Sequence, residues 1–255
     1  MTRLEIGGVN DLRRLLATAA AHGPVEVTVQ DAARLTVGYR VLLEVIGDGV
    51  NLTPAGYLPP KVVTRVANDT GWTGSWIGAL NREYGTPVQT LRTTARALGL
   101  VTVRKDRLTV TAAARKAAQD PQALWSHIAS RLPVLTCKDF EQEAGWLLLA
   151  VAAADLPKSR WGHEVGRLMA GLGWRSADPR RQTPHPFSPT WDVLSVLTGT
   201  DQPTRDTADP AIAATARAAI REKGYSCECP GVRCGCRQGR VCTVIGVSPD
   251  QEEHC

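Results

Sequence analysis

The sequence predicts a mainly α-helical protein with small β hairpins, and three observations support this fold class. Apolar side chains recur three and four residues apart along most of the chain, which is the period of a helix with one buried face. Short alternating runs, typical of strands, occur only at residues 25–29 and between residues 100 and 110. Six of the seven cysteines fall in the last 29 residues, so the end of the chain differs from the rest.

Helix signals in the first half follow one another at short intervals. A helix capped by Asn10 is expected to bury a face of leucines, and the run over residues 25–29 alternates like a strand. A second helix is expected over residues 31–46. Pro59-Pro60 can open a third helix, because proline is favoured in the first turn.

Residues 86–118 have the layout of a winged helix, with a helix, a two-stranded hairpin and a second helix. Thr86 is a suitable N-cap in front of Pro87, and the apolar stripe of the first helix ends at Gly99. Two short β-like runs follow, and Thr111 can cap the helix after them. We therefore expect a winged-helix-like module at 86–118 within a helical region that spans residues 1–135.

The helical pattern restarts after Pro133. A helix around residues 140–151 is apolar nearly all round, so it is expected to be central, and an Ala-rich helix is expected from Pro210 to about Lys223. Cys137 stands alone beside the apolar segment and is expected to be a core residue. These signals predict a second helical subdomain over 136–224, followed by a Cys-rich tail over 225–255.

The helix that begins at Pro87 carries polar and basic side chains on the face opposite its apolar stripe, and the hairpin tip adds three cations. The set comprises Gln89, Arg92, Thr93, Arg96, Arg104, Lys105 and Arg107. Residues 81–118 hold eight Lys or Arg and two acidic residues, a surplus of six, whereas the net charge of the whole chain is +5. Such donors suit phosphates and base edges, so the sequence predicts double-stranded DNA binding through this helix and hairpin.

Two other uses of the module remain open. A basic helix face can simply be solvated, and winged modules also serve as protein-interaction or dimerisation units. An adaptor that contacts another protein is therefore the alternative function. Aromatic residues do not interleave with the basic ones, which argues against a single-stranded nucleic acid as the partner.

The tail predicts a zinc site. Soft thiolates at short spacing suit Zn²⁺, and two Cys-x-Cys pairs separated by Pro230-Gly231 can supply one tetrahedral site. The candidate ligands are Cys227, Cys229, Cys234, Cys236, Cys242, His254 and Cys255. These seven candidates exceed the four ligands of one closed site and are one short of two sites unless a thiolate bridges two ions. A structural zinc knot is expected. A thiol- or metal-responsive sensor, a disulfide-bonded tail and a tail without metal are the alternatives.

Composition limits the setting and the chemistry. An isoelectric point near 8.9 permits an anionic partner, and no apolar stretch is long enough to span a bilayer. Met1 to Glu5 lead into no apolar signal region, so we expect a cytoplasmic protein whose thiols stay reduced.

His163-Glu164 lacks a second histidine at metalloprotease spacing and is expected at the surface. With no phosphate-loop, dinucleotide or Gly-x-Ser-x-Gly fingerprint, a binding protein is favoured over an enzyme.

Several short motifs resemble a group of uncharacterised actinobacterial proteins. Leu42-Leu43, Gly49, the run Leu52-Thr53-x-Ala55-Gly56-x-Leu58 and the later Leu172-Gly173-Trp174-Arg175 are similar to transposon- or plasmid-borne passenger proteins of the TnpR type. The resemblance covers residues 35–200 and leaves out the cysteine tail. It departs from the family pattern at Tyr57, where the family often has Asn. It implies a mobile-element setting, without a serine or tyrosine constellation for recombination.

Overall fold

The computed structural model describes residues 3–21, 27–72, 83–176, 180, 183–199 and 206–224, and in these residues the mainly helical class is confirmed. The elements in chain order are α1 (Arg3–Ala21), α2 (Val29–Ile46), β1 (Val50–Asn51), α3 (Pro60–Asp69), α4 (Pro87–Ala97), β2 (Val101–Arg104), β3 (Arg107–Val110), α5 (Ala112–Ala117), α6 (Pro121–Ala129), α7 (Asp139–Ala153), α8 (Lys158–Gly171), α9 (Pro189–Thr198) and α10 (Pro210–Gly224).

The three strands form one antiparallel sheet in the order β1-β3-β2. Strands β2 and β3 make the predicted hairpin, in which Arg104 pairs with Arg107, so the turn between them has only two residues. Strand β1 adds a third strand, with Val50 opposite Leu108. The sequence pattern does not predict β1, because two residues are too few to show an alternation.

Side-chain caps account for several helix starts. The Thr28 hydroxyl accepts the Asp31 N–H at the start of α2, and Thr111 caps α5 as predicted, accepting the Ala114 N–H at 3.2 Å. The predicted cap at Asn10 is wrong, because α1 begins at Arg3 and places Asn10 inside the helix. The strand predicted over 25–29 is also wrong at its end, because α2 begins at Val29; residues 25 and 26 lie outside the described residues.

Two helices of the second half are buried on nearly every side. Helix α7 is buried at every position from Ala144 to Ala153 except Trp146, which confirms the expected central helix. Helix α10 is buried from Ala211 to Arg217 and packs against α7, because its alanines allow close approach. The Arg217 guanidinium donates to the Ala153 carbonyl at 2.8 Å and so caps the end of α7.

One hydrophobic cluster contains buried side chains from both sides of residue 135, among them Leu91 and Leu148. The division into regions 1–135 and 136–224 stays a prediction. Cys137 is exposed, so the expectation of a core cysteine is wrong. Glu164 is also not at the surface; it is buried, and the Arg160 and Arg167 guanidinium groups donate to its carboxylate. None of the helices described is long and apolar enough to cross a membrane.

Candidate nucleic-acid interface

Helix α4 is anchored to the core by one face. Val88, Leu91 and Ala95 are buried, and the Tyr39 hydroxyl of α2 donates to the Thr94 hydroxyl at 2.9 Å. Burial raises the pKa of Tyr39, so this phenol stays protonated and keeps its hydrogen bond. The opposite face of α4 is therefore held toward solvent, as the helical period predicts.

Glu83 organises the start of α4 from a buried position. Its carboxylate accepts the Leu58 N–H at 2.6 Å and forms an ion pair with Arg92, and the Thr86 hydroxyl donates to its backbone carbonyl at 2.6 Å. Thr86 holds the predicted N-cap position but makes no side-chain cap bond. The Glu83 side chain is 0% exposed and that of Arg92 only 15%. Arg92 is thus committed to an internal ion pair.

The Gln89 side chain also makes a hydrogen bond within the protein. Its side-chain oxygen accepts the Gly85 N–H at 2.7 Å, just before the first turn of α4. A bidentate contact with adenine needs both the oxygen and the amide nitrogen of glutamine. In this arrangement the Gln89 oxygen already accepts one hydrogen bond, and its amide nitrogen remains the donor for a base edge.

Thr93 and Arg96 are the exposed members of the predicted set on α4. Among the described residues Arg96 has no ion-pair partner, so its guanidinium is available to an anion. The structure therefore divides the four predicted α4 residues. Thr93 and Arg96 face solvent, Gln89 keeps a donor, and Arg92 belongs to the support of the helix.

The hairpin tip presents Arg104, Lys105 and Arg107, all of which are exposed. Lys105 and Asp106 have φ angles of 48° and 57°. Side chains with a Cβ are disfavoured there by roughly 1 kcal/mol each, but two positive φ angles suit the twist of a two-residue hairpin. Arg107 also donates to the Asp48 carbonyl at 3.3 Å, so it lies over the turn before β1.

A short loop between β1 and α3 connects the hairpin with the start of α4. The Leu52 N–H donates to the Asp106 carbonyl at 2.7 Å, and Leu58 makes the bond to Glu83 described above. Between them, the Thr53 N–H donates to the Tyr57 carbonyl at 2.8 Å and closes the loop into a tight turn. Because its two ends are adjacent, the hairpin tip and the start of α4 lie side by side.

An aromatic pair, Tyr57 and Tyr84, lies beside α4 and is not predicted by the sequence pattern. The rings of Tyr57 and Tyr84 meet edge to face with centroids 6.1 Å apart, and Tyr84 is 69% exposed. Tyrosine hydroxyls are among the groups that contact phosphates. The position of Tyr84, two residues before the N-cap Thr86, indicates that it lies near the start of α4. The sequence does not indicate its partner, because Tyr57 is 27 positions away in the chain.

The charge balance of the region is one-sided. The exposed cations of residues 83–118 are Arg96, Arg104, Lys105, Arg107, Arg115 and Lys116. Asp106 is the exposed carboxylate of this range, because Glu83 is buried. Glu83 and Arg92 neutralise each other away from the surface, so the exposed side chains keep the positive surplus that the sequence indicates.

The predicted zinc ligands all lie between residues 227 and 255, outside the described residues. Within the described ranges, no group of three or more His, Cys, Asp or Glu side chains is placed to hold a metal ion.

Comparison with protein-family models, with curated proteins and with solved structures finds no match to this chain. The resemblance to TnpR-type passenger proteins stays a prediction.

Proposed function

We propose that this chain is a non-enzymatic, winged-helix-like, double-stranded DNA-binding protein. The observation that carries the proposal is the position of α4, with one face anchored in the core and the other face exposed beside a basic hairpin tip. The proposed module keeps α4, β2, β3 and α5 of the region 86–118 and adds α2, α3 and β1, which pack against them. In winged-helix and helix-turn-helix proteins one exposed helix enters the major groove, and the proposal gives α4 that place.

The residues take different roles in this proposal. Arg96, Arg104 and Lys105 contact phosphates, because they are exposed cations and released counterions favour such contacts. Thr93 and the Gln89 amide nitrogen face base edges. Arg92 keeps α4 in place and makes no DNA contact, which revises the role expected from its position on the helix.

The test is fluorescence anisotropy of a labelled duplex with matched charge variants. Arg96→Ala with Lys105→Ala should weaken binding roughly ten- to hundred-fold for all duplex sequences, because two phosphate contacts are lost. Arg13→Ala with Arg221→Ala is the control, since it removes the same charge at exposed sites on α1 and α10. Equal weakening by both pairs would mean that net charge alone drives binding and would refute the interface.

A second pair of substitutions separates sequence recognition from phosphate binding. Changing Gln89 and Thr93 to Ala should alter the preference among duplex sequences more than the affinity for an average sequence. No detectable duplex binding at low salt, by a folded protein, would favour the adaptor that contacts another protein.

For the tail we propose a structural zinc knot, supported by the spacing of Cys227, Cys229, Cys234 and Cys236. The reducing cytoplasm, which we propose as the location, would keep these thiols available to the metal. Purified protein should carry about one to two Zn²⁺ per chain. Deleting residues 225–255 should remove the metal and leave the helical content nearly unchanged, because α10 ends at Gly224.

Metal analysis and circular dichroism of the full and truncated chains test the zinc proposal. Metal-free protein from reducing preparations, or metal retained after truncation, would contradict it. Fast zinc release by mild peroxide together with a change in DNA binding would favour the thiol sensor over the structural knot.

A further inference from the structure

A cleft of about 530 Å³ lies where α2 and the end of α3 meet α8, α9 and the start of α10. Val37 stands at the rim of the cleft with 40% exposure, and the buried side chains of Trp72, Trp161 and Leu197 contribute small apolar parts of its lining. This volume is within the range of small-molecule sites, which are mostly apolar with a few placed polar groups. The cleft is separate from the exposed face of α4.

Lys158 is the unusual polar group of this cleft. Its ammonium donates to the Thr198 hydroxyl at 2.9 Å, and no carboxylate among the described residues forms an ion pair with it. Burial lowers the pKa of Lys158, because the charged form loses hydration without gaining a counter-charge. A half-buried cation of this kind is stabilised by any anion that can enter the cleft.

The other charges that line the cleft are already paired. The Arg34 guanidinium makes two hydrogen bonds with Asp209, at 2.8 and 3.0 Å, and a third with Asp31 at 3.3 Å. This ion pair leaves Lys158 as the lining cation that lacks a partner among the described residues. The cleft thus combines apolar lining with one positive charge that has no ion-pair partner among the described residues.

We propose that the cleft binds a small aromatic carboxylate, with its ring against the apolar lining and its carboxylate at the Lys158 ammonium. An ammonium with one hydroxyl partner has two further N–H donors for the carboxylate oxygens. Charge complementarity selects an anion, and the apolar lining favours an apolar body. This proposal does not depend on DNA binding.

The test uses 2-naphthoate and its neutral counterpart 2-naphthamide, titrated into the full chain by isothermal calorimetry. Naphthoate should bind at least tenfold more tightly than naphthamide. Lys158→Met keeps the aliphatic stem and should lower the naphthoate affinity at least tenfold, which abolishes the preference for the anion. Lys61→Met, an exposed lysine on α3, should leave both affinities unchanged.

A second variant keeps the proposal testable if Lys158→Met does not fold. Val37→Trp adds bulk at the exposed rim of the cleft and should weaken both compounds. The proposal is overturned if wild-type protein does not bind naphthoate, or if it binds both compounds equally. Unchanged naphthoate binding by Lys158→Met or by Val37→Trp would also overturn it.

Discussion

Arg92 and Arg96 lie one helical turn apart on α4, yet the structure predicts opposite consequences of removing them. Arg92 neutralises Glu83, whose side chain is fully buried, whereas Arg96 is exposed and has no ion-pair partner among the described residues. Arg92→Ala leaves the Glu83 carboxylate buried without its counter-charge. Among those residues, the backbone N–H of Leu58 is then the remaining donor to this carboxylate. We therefore expect Arg92→Ala to destabilise the fold and Arg96→Ala to leave it almost unchanged.

The size of the effect follows from the burial of the pair. Removing one partner of a buried ion pair costs about 3–5 kcal/mol. The low end, about 3 kcal/mol, applies because the Arg92 side chain keeps 15% exposure and water can reach the site. For a chain of this length that loss lowers the melting temperature by roughly 6–12 °C. Surface substitutions such as Arg96→Ala usually stay within about 0.5 kcal/mol.

Urea unfolding followed by circular dichroism measures these differences in the free energy of unfolding. Each appears as a shift in the urea midpoint, while the slope of the free energy against urea concentration stays constant. Glu83→Gln supplies the matched background, because it retains an acceptor for the Leu58 N–H and removes the charge. In that background Arg92→Ala should cost only about 1 kcal/mol, the worth of an ordinary hydrogen bond. The reasoning is refuted if Arg92→Ala in wild-type protein costs no more than Arg96→Ala.

Two further predictions concern the hairpin turn and the half-buried His127. Asp106→Gly should stabilise the protein by about 1 kcal/mol in urea unfolding, because glycine adopts the positive φ of this position without strain. Asp106→Gly and Asp106→Ala should both strengthen duplex binding, because each removes the negative charge at the hairpin tip, but Asp106→Ala should not stabilise the fold. Equal stability of the two variants would contradict this reasoning. Burial and the nearby charge of Arg131 lower the pKa of His127, so the folded state binds this proton less readily than the unfolded state. The stability from His127 is therefore present above pH ~6.5 and lost as the pH falls through the lowered pKa. His127→Asn should flatten the dependence of the urea midpoint on pH between 7 and 5, and an unchanged dependence would contradict this reasoning.

Helical periodicity predicts the faces of α4 and the central place of α7 because both depend on local spacing. It does not predict the partner of Arg92. Glu83 lies before the helix, and only the folded loop brings the two side chains together. A charged residue at an exposed position of a helical wheel can still be internal when a preceding loop folds over it.

Strand β1 and the Tyr57–Tyr84 pair were missed for a related reason. Both depend on contacts between segments that are distant in sequence, and neither has a local pattern of its own. The cleft at Lys158 also needs tertiary structure, since its walls come from five helices and adjoining turns. The tail differs, because its cysteine spacing is a strong local signal, and the zinc prediction there rests on sequence alone.

The dependence of duplex DNA affinity on salt tests the central claim most directly. Wild-type protein should show a linear fall of log affinity with log salt. Arg96→Ala with Lys105→Ala should reduce that slope by about two units, because each lost phosphate contact removes about 0.9. The distant Arg13→Ala and Arg221→Ala pair should leave the slope nearly unchanged. A slope that is the same in wild-type protein and in the Arg96–Lys105 variant, or no duplex binding at about 50 mM salt, would contradict a DNA interface on α4 and the hairpin.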